Sequence, residues 1–281
     1  MRARLLALGT SLILALTLTA QPAVASTGGT PDGEQNPNVG LILFYADGGR
    51  FRCSATLVTP TVMVTAAHCT DGDLGKVLVD FRSVVAEQSP TGYPVAADPS
   101  SGYTSTEITD AGFFAGTAHT HPEYSNFTDL DNWNDLGVVV LDEPVGITPA
   151  SIAGLNTLDA YKQPKLNKTI FRAVGYGTEV RKPDEGPQKP QPMSYPIMRR
   201  YVDMPGQKLT PQILQTNGNE KDNRGTGGTC FGDSGGPVFL NGQIVAVTSY
   251  GYTQNCRYLG GYQRIDIAVA QDWLAGFGVT P

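Results

Sequence analysis

Three short segments of this chain carry side chains whose types suit nucleophilic acyl transfer. The first is Thr65-Ala66-Ala67-His68-Cys69, a histidine just beyond an apolar run. A neutral imidazole can take a proton from a hydroxyl at ordinary pH, so histidine is the common base for such chemistry. The chain has only 3 histidines, and His119 and His121 fall in a polar stretch that reads as loop. The second segment is Gly232-Asp233-Ser234-Gly235-Gly236-Pro237. Glycines on both sides of the serine keep side chains away from its hydroxyl and let backbone N–H groups converge on one point, as an oxyanion requires. The third is Asn134-Asp135-Leu136-Gly137, running into Val138-Val139-Val140-Leu141. An acid that directly opens an apolar strand needs a partner if it is to be buried. A histidine base needs such an acid to fix its tautomer and stabilise its cation. Asp129, Asp131 and Asp142 do not open the run directly and are weaker candidates.

A Gly-x-Ser-x-Gly string also occurs in the strand–turn–helix elbow of α/β-hydrolases. Chain order separates the two. An elbow serine is followed by its acid and then its histidine, but no histidine follows Ser234. The elbow reading fails.

The elements that must hold these segments are short strands. Apolar or alternating runs at 39–45, 53–58, 62–66, 77–85, 136–141, 169–174, 238–240 and 244–249 are bounded by Gly, Pro, Asn or Asp, the pattern of antiparallel sandwiches and barrels. Helical spacing is clear only at the end, where Ile265, Val269, Trp273 and Leu274 share one stripe between 264 and 276. Strands do not alternate with long helices, which argues against an α/β sheet. Residues 178–196 are polar and proline-rich, and close flanking strands make them a surface loop rather than a linker.

Composition agrees with a turn-rich globular protein: 281 residues with Gly 33, Pro 20 and 40% hydrophobic side chains. That apolar content, with a net charge of only -6, argues against disorder. No Lys/Arg cluster marks a nucleic-acid binder, and no solenoid repeat is present. Arg2, Arg4, an apolar stretch over 5–20 and Ala23-Val24-Ala25 read as a secretory signal cleaved after residue 25. The stretch ends at Gln21-Pro22, short of the roughly 20 apolar residues that an anchor needs. Four cysteines in a secreted chain mean two disulfides, and spacing alone leaves all three pairings open.

In the order His68, Asp135, Ser234, the quoted segments resemble the trypsin/chymotrypsin-like serine peptidases, in a secreted, bacterial form. Gly28-Gly29-Thr30 is similar to the family's start, His121-Pro122 to the segment before its acid, and Gly175-Tyr176-Gly177 to the opening of its second barrel. Ser249-Tyr250-Gly251 resembles the strand that pairs with substrate backbone, and 270–277 the closing helix. The resemblance implies an all-β fold of two packed six-stranded antiparallel β-barrels with a C-terminal helix. The peptidase domain would span 26–281, with barrels at about 38–150 and 165–265 and the helix at about 265–276. It also implies the roles. Ser234 attacks the scissile carbonyl, His68 moves the proton, Asp135 orients His68, and the N–H groups of Gly232 and Ser234 hold the oxyanion. The implied disulfides are Cys53–Cys69 and Cys230–Cys256.

Specificity follows from the same resemblance. Gly228 stands where trypsin-like members keep the aspartate that binds Arg and Lys, and no acid occurs over 224–231. With Gly260 on the far wall and Thr229, Ser249, Tyr250 and Gly251 around it, the pocket is expected to be uncharged and to take Phe, Tyr or Leu. A catalytically silent binding relative is the alternative, although such relatives usually lose a triad residue. An esterase-biased hydrolase would use the same groups. The family activates itself by inserting a new Ile-Val-Gly-Gly terminus against the acid before the serine, here Asp233. The matching residues are Ser26-Thr27-Gly28-Gly29, so export itself is expected to expose Ser26 as the active terminus. No cofactor or metal is expected, and Asp71 and Asp73 read as a solvated turn rather than calcium ligands. Asn126 and Asn167 fit glycosylation acceptors in a host that glycosylates. The expected partners are a protein or peptide substrate and protein inhibitors. Nucleic acid is not expected, nor membrane after signal cleavage, and the chain is expected to be a monomer.

Overall fold

The computed structural model describes residues 28–281, apart from 184, 187 and 188. The expected signal segment and Ser26 lie outside the described residues. Two six-stranded antiparallel barrels make up the fold, as the sequence predicts. The first closes through Val39–Ala46, Gly49–Leu57, Val62–Thr65, Gly137–Leu141, Phe114–Thr120 and Leu74–Asp80, in that order around the ring. The second closes through Arg200–Leu209, Ile213–Asn217, Leu259–Arg264, Gln243–Gly251, Pro237–Leu240 and Ile170–Gly175. Thr30–Pro31 adds to its edge against Arg200 and Tyr201.

The strand Val39–Ala46 shows why its sequence lacks polar alternation. Every residue in it is buried, because both faces are covered. Ile42, Phe44 and Ala46 fill the first barrel with Ala55, Leu57 and Val79. The alternate residues Val39, Leu41, Leu43 and Tyr45 pack outward against Val174, Tyr176 and Ile197 of the second half. A strand with period-two side chains and two apolar neighbours must be apolar throughout. The second barrel has its own core around Phe171, Val202, Met204, Leu214 and Tyr262.

The closing helix runs Ala268–Ala275 and buries Ala270 and Leu274. It packs back onto Val64, Leu136 and Val138 of the first barrel. His121 meets Trp273 with ring centroids 5.0 Å apart, and His119 meets Phe277 at 5.3 Å. His121 thus packs on this helix and His119 on the residues just beyond it, and His119 lies in the strand Phe114–Thr120 rather than in a loop. The proline-rich stretch also differs from expectation, since Glu179–Arg181 pairs with Gln191–Met193 as a small ladder. Among the described residues no helix is long and apolar enough to cross a membrane.

A buried ion pair stitches the barrel connection to the helix entrance. Asp266 is fully buried. It accepts from Arg264 Nε at 2.9 Å, Arg264 Nη2 at 3.0 Å and the Leu158 N–H at 2.7 Å. Removing the carboxylate leaves the Leu158 amide without its acceptor and the buried Arg264 guanidinium with only Thr210 O and the half-exposed Asp159. Asp266→Ala is therefore expected to cost on the order of 3–5 kcal/mol. Thermal unfolding should show a drop in Tm of roughly 10 °C, and an unchanged Tm would contradict this account.

Candidate active site

The strand ladder fixes where His68 and Asp135 meet. Val62–Thr65 runs antiparallel to Gly137–Leu141, with Thr65 opposite Gly137. The chain leaving the first strand and the chain entering the second therefore reach the same end of the sheet. His68 sits in a single 3-10 turn, Ala67–Cys69, tied down by the Cys53–Cys69 disulfide. Asn134 adopts a left-handed conformation with φ 44°, which asparagine tolerates better than most residues. Its side chain donates to the Glu123 carbonyl at 3.1 Å, and the turn swings Asp135 into the core.

Asp135 is fully buried. Oδ1 accepts from the His68 backbone N–H at 2.9 Å, and Oδ2 lies 2.9 Å from His68 Nδ1. Ser249 Oγ donates to Oδ2 at 2.5 Å, and Trp133 Nε1 donates in turn to Ser249 Oγ at 2.9 Å. Asp135 N–H donates to Gln263 Oε1 at 3.0 Å. With Nδ1 facing the carboxylate as a donor, Nε2 is the nitrogen left to act as base. The imidazole keeps 21% of its surface in solvent, enough for a substrate to reach it.

Ser234 rides on a turn clamped to the same strand end. Gly232 has φ 98° and Gly235 φ 74°, a region that side chains other than glycine's rarely adopt. A Cβ on Gly235 would overlap Thr65 Oγ1 and stand 2.7 Å from the Ala66 nitrogen. Ser54 N–H donates to the Ser234 carbonyl at 2.8 Å, and Gly235 N–H to Thr248 O at 2.8 Å. Ser54 Oγ donates to the Gly232 carbonyl at 2.8 Å and accepts from Tyr176 N–H at 2.9 Å. The amides of Asp233 and Gly236 have backbone acceptors. Those of Gly232 and Ser234 have none among the described residues, as donors awaiting an external oxygen would.

Beside Ser234 opens a cleft of about 240 Å³ whose walls include Thr229, Ser249, Tyr250, Gly251 and the Cys230–Cys256 disulfide. Among the described residues no charged side chain lines it. Gly260 borders a smaller void behind it, with Thr229 and Gly251. Gly228 is buried against Gly218, where a Cβ would come 2.7 Å from the Gly218 Cα, and it borders neither space. The side chain behind Thr229 is Tyr262, whose hydroxyl is 3.0 Å from Thr229 Oγ1 and 3.1 Å from Met204 Sδ. Burial pushes this phenol up to about 12, so it stays neutral. An aromatic rail leads away from His68. Ring centroids step from His68 to Phe127 (5.6 Å), Trp133 (5.3 Å), Tyr250 (5.2 Å), Tyr252 (5.6 Å) and Tyr258 (6.4 Å).

Sequence reasoning missed Ser54, Trp133, Tyr262 and Gln263, and it assigned Ser249 to the pocket without its bond to Asp135. Trp133 was open to notice, two residues before the acid; the others gain their meaning only from long-range contacts. The weaker candidate acids lie apart: Asp129 and Asp131 are exposed, and Asp142 pairs with Lys76 Nζ at 2.6 Å. The sulfurs of Cys53 and Cys69 lie near His68 but are joined to each other, which leaves no thiolate to ligate a metal. The turn after His68 differs from expectation. Asp71 is exposed, but both Asp73 carboxylate oxygens are buried without a hydrogen-bond partner among the described residues.

The family model described as Trypsin matches residues 33–274. The chain belongs to the trypsin family. It is a serine endopeptidase, a hydrolase of peptide bonds. Brachyurin of Leptuca pugilator is 29% identical over 238 residues, covering 82% of this chain and 89% of that protein. A trypsin of Saccharopolyspora erythraea is 29% identical over 230 residues, covering 80% and 86%. Among solved structures HL collagenase superposes with a TM-score of 0.61 at 17% identity, covering 92% of this chain and 98% of that one. That likeness is one of fold. Animal proteins predominate among the trypsin-family relatives, and they give the expected bacterial origin no support.

Asp73 gives this trypsin-family chain a pH-dependent stability. Burial, reinforced by the charge of Asp71, raises its carboxyl to about 8. The folded protein then holds a proton that the unfolded chain releases above about pH 4. Where the folded state binds more protons, stability falls as pH rises, here between about pH 4 and 8. Asp73→Asn removes the titration. Thermal unfolding of variant and parent should coincide near pH 4, and by pH 8 the variant should lead by on the order of a few kcal/mol. Parallel curves across that range would contradict the assignment.

Proposed function

We propose that this trypsin-family peptidase is secreted and cleaves after large apolar residues through an acyl-enzyme on Ser234. His68 takes the Ser234 proton through Nε2 and returns it to the leaving amine. Asp135 holds the ring in the Nδ1–H tautomer and stabilises the imidazolium that forms. The Gly232 and Ser234 amides receive the oxyanion that develops at the scissile carbonyl. The observation that carries this reading is the packing of the Ser234 turn on Thr65 and Ala66, beside the pair of buried Asp135 and half-buried His68. Two otherwise idle amides beside the serine add to it.

The preference for Phe, Tyr or Leu rests on a cleft whose described walls carry no charge, with a neutral phenol behind it. The exposed rings of Phe127, Tyr252 and Tyr258 extend an apolar surface along the approach. Secretion rests on the leader-like residues 1–25 and on two disulfides, which persist in oxidising compartments. In this reading the partners are protein or peptide substrates and protein inhibitors, and the enzyme acts as a monomer.

Ser234→Ala should lower peptide turnover on the order of 10⁶-fold while leaving thermal stability near that of the parent. On matched peptides differing only before the scissile bond, Phe, Tyr and Leu should exceed Arg and Lys in kcat/KM. Wild-type turnover by the alanine variant would overturn the mechanism. Arg winning the peptide series would overturn the pocket assignment alone.

A further inference from the structure

The proposed acyl transfer gives Trp133 no part, yet its indole is bonded into the support of the catalytic acid. Trp133 is 6% exposed and Ser249 5%. Trp133 Nε1–H donates to Ser249 Oγ at 2.9 Å, and Ser249 Oγ donates to Asp135 Oδ2 at 2.5 Å. The direction of this chain follows from the groups themselves. An indole N–H can only donate, an ionised carboxylate can only accept, and a hydroxyl carries a single proton. With the indole proton on a lone pair of Ser249, the hydroxyl's own proton is committed to Asp135. Bonds linked in series polarise one another, so the indole strengthens the bond that Ser249 makes to the acid.

The neighbours of Trp133 aim its indole. Its ring meets Phe127 and Tyr250, with centroids 5.3 and 5.2 Å away, and its carbonyl accepts from Ser125 Oγ at 3.2 Å. Phe127 also meets His68 at 5.6 Å and Tyr124 edge-on at 5.7 Å. To make these contacts the chain takes two successive residues into the left-handed region, Asn126 at φ 49° and Phe127 at φ 63°. Asparagine tolerates that conformation, but a bulky phenylalanine there is an outlier. Such strain persists only where surrounding contacts impose it, and it gathers at functional sites. Here one strained turn presses a ring on both Trp133 and His68, which ties the support of the acid to the base it orients.

We infer that Trp133 is a positioning residue for the catalytic acid, its indole N–H keeping the Ser249 hydroxyl proton on Asp135. The inference rests on the proposed roles of Ser234, His68 and Asp135. Without the indole proton the hydroxyl is free to turn, and Oδ2 loses a fixed donor. That oxygen is the one 2.9 Å from His68 Nδ1, so a slack Oδ2 leaves the imidazole less firmly held. Small misplacements of a reacting group carry large rate penalties. The loss falls on proton transfer and leaves substrate binding as it was.

The test removes the N–H and keeps the ring. Trp133→Phe does so with a smaller aromatic, and benzothienylalanine incorporated at position 133 does so with an isostere that carries sulfur in place of the N–H. On a peptide substrate each should lower kcat about 10-fold, a part of the 10²–10⁴ that a positioned acid–base group supplies. KM should stay nearly unchanged, the signature of a contact that matters only in the transition state. A double-mutant cycle checks the route: in a Ser249→Ala background, Trp133→Phe should change kcat by no more than about 2-fold. Parental kcat in the isostere, or a rise in KM alone, overturns the inference, and the second result makes Trp133 a wall of the substrate cleft. Independent, multiplying losses in the cycle overturn the route through Ser249. Inactive Ser234→Ala beside an undiminished isostere leaves the proposed chemistry standing and removes only Trp133 from it. Should Trp133→Phe fail to fold, the isostere still decides.

Discussion

A carboxylate removed from water must find its compensation in donors, and Asp135 finds its donors in both halves of the molecule. The His68 N–H and ring come from the first barrel, and the Ser249 hydroxyl from the second. The second barrel also supplies Gln263, which receives the Asp135 amide. Each barrel alone would leave this acid short of partners, and unmatched burial of a charge is among the largest penalties a fold can carry. The acid is therefore a lock on the relative placement of the barrels as well as an orienter for His68. A misdocked arrangement would expose or orphan it.

The Ser234 turn is set by a second cross-barrel device. Ser54, next to a disulfide cysteine of the first barrel, receives Tyr176 N–H and gives its proton to Gly232 O. Its own N–H reaches Ser234 O. Tyr176 in turn donates to the carbonyls of Val39 and Arg82 at 3.2 and 2.9 Å. One serine and one tyrosine thus couple the serine turn to the strand that leads to Cys53, whose disulfide holds the His68 turn. In the proposed mechanism these bonds would keep His68 and Ser234 in register across the barrels. Such register is what proximity catalysis demands, since small misplacements carry large rate penalties.

Much of this was legible in the sequence, and the unread part has physical reasons. An all-β sandwich or barrel followed from short bounded runs, the two barrels from the family resemblance, and the continuous apolarity of 39–46 is explained by a strand covered on both faces. His68, Asp135 and Ser234 stood out because each sits in a local context that suits one task. The partners of Asp135 did not, because Ser249 lies 114 residues away and a lone serine carries no local signal. The helix Ser105–Asp110 escaped a search for apolar stripes, having only Ile108 buried, although its Thr104–Glu107 capping box was present in the letters. Residues 178–196 read as loop because prolines suggested it, yet proline is tolerated in edge ladders such as Gln191–Met193. Gly228 was placed by counting along a motif. Counting does not reveal that its Cα packs on Gly218.

Three aspartates show how differently one side chain can be accommodated within a single fold. Asp135 is matched by a histidine, a hydroxyl and a backbone amide, all aimed at it from fixed elements. Asp233 is matched by two backbone amides at 2.8 Å and stands within the field of two arginines. Asp73 has no donor for either oxygen among the described residues, and it responds by holding its proton up to about pH 8. Asp135 is held by contacts from both barrels and Asp233 by two amides of the second, so both can keep a charge where shape depends on it. The third lies on the loop after the His68 turn, where no partner strand presents donors. The difference lies in what the surrounding backbone offers, and that is why three identical letters in a sequence give three different chemical groups in the folded protein.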